Sequence, residues 1–234
     1  MDTFEQTGFQ YPFGEESCEH EVEVLQHHYS EYFYDRSRFN EEALESDVYL
    51  IVGRRGSGKS SLVQYFGFQD SIRRARHIVV DEPEIYNNIT RRIANHAFLA
   101  PDMAVNDAYK IWEFLIWSLI FNEYCHDDPE LAGIQYVPAE KQEVKTFVTD
   151  LLRYILADYL ADNGVLKDDL GNALADPAFK RAKEIVLEIT AHREPVIIAV
   201  DTFERYDREN EAMMALTTAL IQCANRFNIT CARQ

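Results

Sequence analysis

An apolar run, Val48-Tyr-Leu-Ile-Val52, opens directly onto Gly53-Arg-Arg-Gly-Ser-Gly-Lys-Ser60. Five apolar residues without polar alternation suit a strand covered on both faces, as in a parallel sheet, and the glycine that ends the run marks a turn. The eight residues after it fit G-x-x-x-x-G-K-[ST] in full, and a helix is expected from about residue 59 to 66, which is the strand-to-helix setting the motif requires. Average composition makes such a match by chance an event of on the order of 1% in a chain this long.

The residue types in this loop suit one kind of chemistry. Backbone N–H groups can converge on phosphate oxygens where no Cβ intrudes, which is the use of Gly53, Gly56 and Gly58, with Ser57 in the same cradle. Lys59 is placed to reach the β- and γ-phosphates, the Ser60 hydroxyl to ligate Mg²⁺, and Ser61 to add a hydroxyl near the α-phosphate. The positive end of the following helix favours the same anion. A glycine-rich turn that binds nothing is the alternative. The motif leaves the positions of Arg54 and Arg55 free; Arg55 is counted with the phosphate-binding set, against solvent or a neighbouring subunit.

A nucleotide hydrolase also needs an acid on the metal side and a base for the attacking water. Further strands are expected at residues 77–81, closed by Pro83, and at Val196-Ile-Ile-Ala-Val200. Asp201 then falls just beyond a buried strand, at the carboxyl edge where open α/β sheets bind ligands, and is read as the Mg²⁺-side acid. Glu204, three residues on, is read as the general base, against a surface ion pair with Arg205. A short strand is expected at residues 227–232, carrying Arg233 toward the γ-phosphate as a sensor of ATP against ADP, with fraying at the chain end as the alternative. Asp81 is either a neighbour of the site or a plain strand terminator.

Between the second and third strands the pattern is helical. Residues 107–124 are apolar on nearly every side; their richest stretch, 111–121, contains Glu113 and is far shorter than the roughly 20 residues a bilayer needs, so it reads as a buried helix. Val144, Phe147, Val148, Leu151, Leu152, Ile155 and Tyr159 mark one helix face, ending near Gly164. Asp176-Pro177 is an N-cap and first-turn pair for another helix, stopped by Pro195. A last helix is expected around residues 210–225. Trp112 and Trp117 read as core.

Charge narrows the partners. The formal net charge is −17, and the first fifty residues hold thirteen carboxylates against Arg36 and Arg38. Such a field repels phosphate backbones, so nucleic-acid binding by the isolated chain is not expected. Four widely spaced cysteines with no CxxC pair, and no basic-then-apolar leader, predict a reduced, cytoplasmic protein without a membrane span. Seven scattered histidines offer no zinc spacing.

Three segments carry a family resemblance: GRRGSGKS with its preceding strand, VIIAVDTFER, and ITCAR. They resemble the Walker A, Walker B and sensor-strand segments of ATPases with an additional strand between the Walker motifs, most of all the STAND and KAP-type P-loop proteins of bacteria. The acidic, aromatic stretch PFGEESCEHEVEVLQHHYSEYF is similar to the preamble of some members. The resemblance covers roughly residues 10–80 and 195–234. It implies ATP and Mg²⁺ as ligands, and ATP-driven switching or oligomerisation, with itself or a partner protein, in signalling or antiviral defence. Family members continue past the sensor strand into a helical lid, so a truncated or naturally short form is expected here.

The expected fold is therefore α/β: a P-loop NTPase parallel sheet flanked by helices, with an acidic helical preamble over 1–46, a nucleotide-binding domain over 47–234, and a helical insertion over about 84–194. The expected function is an ATP-hydrolysing switch. A non-catalytic assembly module that reads nucleotide state is the second reading, and a small-molecule kinase the third. The absence of an N-K-x-D stretch favours ATP over GTP.

Overall fold

The computed structural model describes residues 20, 24–25, 59, 76–80, 89–90, 101–161, 169–192, 196–201 and 210–231. The chain divides into two compact units, Met1–Arg73 and Arg74–Gln234. In the first, His20, Val24, Leu25 and Lys59 are helical and Leu25 is buried. The predicted strand at 48–52 lies outside the described residues.

The described elements of the second unit run β1 (Arg76–Val80), α1 (Pro101–Tyr124), α2 (Pro129–Ala132), α3 (Val144–Ala161), α4 (Asp169–Ala175), α5 (Pro177–His192), β2 (Val196–Val200) and α6 (Glu211–Cys231). Helix α1 organises them. From Ile111 to Asn122 every residue except Glu113 is buried, so the helix is covered on all sides. A helix apolar all round is stable in water only when neighbours enclose it, and α3, α4, α5, α6 and β1 each pack against α1. Trp112, Phe121, Tyr124 and Phe179 fill the centre, with Phe179 stacked on Phe114 at 5.7 Å and edge-on to Phe121 at 5.2 Å.

This arrangement corrects the expected fold class. Among the described residues a parallel sheet flanked by helices is not shown: they are mostly helical, and their strands make one two-stranded parallel sheet. The reason lies in α1. Its enclosed surface demands helical partners, so the core is built around a helix, while two five-residue strands are too little surface to serve as a layer.

The two strands themselves follow the sequence closely. They pair in register from Arg76 opposite Val196 to Val80 opposite Val200. Ile78 and Val80 are buried, whereas all five residues of β2 are half-buried, not closed on both faces as its unbroken apolar run suggested. The face expected on α3 is also present, with Phe147, Val148, Leu152 and Ile155 buried.

Aspartate caps set two helix starts. Asp176 Oδ1 accepts the Ala178 N–H at 2.7 Å ahead of Pro177, as its sequence position predicted. Its other oxygen accepts the Tyr136 hydroxyl at 3.0 Å and the Gln135 amide at 3.3 Å, tying the loop after α2 to the start of α5. Asp128-Pro129 repeats the device, with Oδ1 accepting from Glu130 at 2.7 Å and Leu131 at 3.2 Å. Replacing Asp176 with alanine is expected to destabilise the protein by about 1 to 2 kcal/mol in urea denaturation, because a capping oxygen and an inter-element acceptor are lost together. Asp176→Asn, which keeps the cap, should recover most of that; equal losses for both variants would show that the cap contributes nothing.

The end of α6 is a second correction. The strand expected over residues 227–232 is helix as far as Cys231. Ala212, Leu216, Ala219 and Cys223 form the buried stripe of α6, and Phe227 extends it by one turn onto Trp117, with ring centroids 5.0 Å apart. No glycine or proline interrupts residues 211–231. The 3.6-residue period therefore outweighs the β-branched pair Ile229-Thr230, whose strand preference is weak.

Candidate functional site

Most of the predicted phosphate-binding set, Gly53, Arg55, Gly56, Ser57, Gly58, Ser60 and Ser61, lies outside the described residues, as do Glu204 and Arg233. The strand expected to carry Arg233 is replaced by α6 up to Cys231. Lys59 is described: it is helical and half-buried, in the first unit.

Asp201 is described in the second unit. It follows β2 immediately, and its backbone N–H donates to the Val80 carbonyl at 3.0 Å, which continues the β1–β2 ladder by one bond. Its position at the carboxyl end of the strand is thus set by main-chain hydrogen bonds, and the residue is half-buried. Nine residues later, Asn210 opens α6 by accepting the Met213 N–H on its Oδ1 at 3.1 Å. Among the described residues no group of three or more His, Cys, Asp or Glu could hold a metal ion. None of the described helices is long and apolar enough to cross a membrane.

The opposite end of the sheet holds a charged cluster that sequence reasoning passed over. Arg76, the first residue of β1, donates from Nη1 to the Glu123 carbonyl at 3.0 Å, pairs through Nη2 with Asp127 at 2.6 Å, and lies 4.3 Å over the Tyr124 ring. A guanidinium there satisfies a carbonyl at the end of α1 and opposes the negative end of its dipole. Lys141 reaches the Glu123 carboxylate at 2.7 Å. Next to it the buried Asn122 amide both donates to the Gln142 carbonyl and accepts from the Gln142 N–H, each at 2.9 Å, fastening the loop after α2 to α1. These contacts stand at the amino end of β1, away from Asp201.

A second unforeseen pair is Lys183 with Glu113, 2.8 Å apart across α5 and α1, their side chains 20% and 18% exposed. The ammonium sits 5.1 Å from the Trp117 ring and 5.3 Å from the Phe179 ring. The signal was present in the sequence: a single acid inside the apolar run 111–121 requires a partner once that run is enclosed. Nearby, Arg226 donates to the Tyr109 hydroxyl at 3.2 Å.

Burial dominates the shifted groups. The Cys223 thiol is pushed up to about 12 by burial, with the Glu113 charge adding to the effect. Burial likewise raises Cys125, Tyr109 and Tyr136. The hydrogen bond from Arg181 lowers Glu130. A thiol ordinarily ionising near 9 that stays protonated to about 12 makes the unfolded chain bind fewer protons than the native one across that window. Stability should therefore fall with rising pH there, by up to about 1.4 kcal/mol per pH unit. Comparing denaturation of the wild type and Cys223→Ala between pH 8 and 11 isolates the effect. The variant should show the shallower decline; parallel curves would assign the thiol no part in it.

Of the predicted site residues, those described are Lys59, helical and half-buried in the first unit, and Asp201, half-buried directly after β2 in the second. Comparison with known proteins adds no relative: no family model, no curated protein and no solved structure matches this chain.

Proposed function

We propose that the chain binds ATP with Mg²⁺ through residues 53–60 and hydrolyses it, acting as a nucleotide-dependent switch. The observation that carries the reading is the complete eight-residue match Gly53-Arg-Arg-Gly-Ser-Gly-Lys-Ser60. The helical state of Lys59 agrees with a lysine at the opening of the helix that follows such a loop. The ladder bond from Asp201 to Val80 agrees with an acid presented at the carboxyl end of a strand. Ser60 hydroxyl and Asp201 carboxylate are hard oxygen donors, the set that Mg²⁺ favours.

In this reading the loop amides and Lys59 hold the β- and γ-phosphates. Ser60 and Asp201 hold the Mg²⁺, which neutralises charge on the transferring phosphoryl group. Glu204 accepts a proton from the attacking water, whose oxygen bonds to the γ-phosphorus as the bridging P–O bond breaks, releasing ADP and phosphate. Arg233 reads the presence of the γ-phosphate.

Phosphate release by the purified chain with Mg-ATP tests the hydrolytic half. Glu204→Gln should bind ATP like the wild type and turn it over at least about 100-fold more slowly, the usual cost of removing a general base. A wild-type chain that binds ATP and releases no phosphate would reduce the proposal to nucleotide binding; turnover unchanged in Glu204→Gln would remove Glu204 from it.

A further inference from the structure

We draw no further inference here: the strongest candidate, the cluster of Tyr109, Glu113, Lys183 and Arg226 around the Cys223 thiol between α1, α5 and α6, pairs Lys183 with Glu113 and Arg226 with the Tyr109 hydroxyl, and nothing among the described residues points to a ligand there.

Discussion

Lys59→Ala is expected to abolish ATP binding while leaving the fold intact. An ammonium that donates to both β- and γ-phosphate oxygens makes two charge-assisted hydrogen bonds, each contributing about 1.5 kcal/mol or more. Their joint loss weakens affinity by on the order of 100-fold, before any disturbance of the loop amides is counted. Titration with a fluorescent ATP analogue, with and without Mg²⁺, measures the loss. Lys59 is half-buried, so its removal should leave far-UV circular dichroism and the denaturation midpoint close to wild type. An alanine variant that binds with wild-type affinity would defeat the assignment of residues 53–60 as a polyphosphate site. Loss of binding together with loss of helical signal would show that the lysine serves the fold.

The second large effect is expected from the centre of the helical unit. Trp112 is fully buried on α1, and its indole N–H donates to the Leu216 carbonyl of α6 at 3.1 Å. Trp112→Ala should destabilise the protein by about 4 kcal/mol, the sum of lost apolar burial and the cavity left in a core that relaxes only in part. That is a large share of the roughly 5 to 15 kcal/mol that holds a typical domain together. Trp112→Phe separates the causes. It keeps most of the ring volume and loses the bond to Leu216, so it should cost about 1 to 2 kcal/mol. Equal losses for the two variants would place the whole effect in the hydrogen bond; a small loss for Trp112→Ala would mean that α1 is not the keystone its burial indicates.

The helices of the second unit were legible where a single periodic signal decided the outcome. A largely apolar stretch over residues 111–121, interrupted by Glu113 and Ser118, could only be enclosed, and Trp112 near its start is enclosed. The 3.6-residue face of α3 and the Asp176-Pro177 start of α5 are short-range statements, settled by neighbours within one or two turns. Asp128-Pro129 carried the same capping signal and was overlooked, because its helix is only four residues long.

The misreadings share one cause. Apolar β-branched runs suit layers of a sheet, but how many strands assemble is decided by what else competes to cover the apolar surface. Around α1 the helices win that competition, and a two-stranded ladder is what the described strands form. At the end of α6 the same competition is visible on one residue. Phe227 gains contact with Trp117 only if the helix continues, and that contact outweighs a local strand preference.

The place of Asp201 directly after β2 was legible because the end of a short apolar run is a local pattern, and its N–H bonds to the Val80 carbonyl. The partners of Arg76 and of Glu113 were not legible. Arg76 meets residues 47 and 51 positions away, and Glu113 meets Lys183 across 70, separations over which no sequence pattern specifies a contact.

Short-range features could be read from the chain alone: which of the described runs of the second unit are strand or helix over most of their length, and where an aspartate begins a helix. Long-range packing, by contrast, put a helix at the centre of the second unit, carried α6 on to Cys231, and chose which acid answers Arg76 and which base answers Glu113. The physical reason is range. Backbone propensity and capping act over one turn, whereas burial and charge compensation are settled between segments that meet only once the chain has folded.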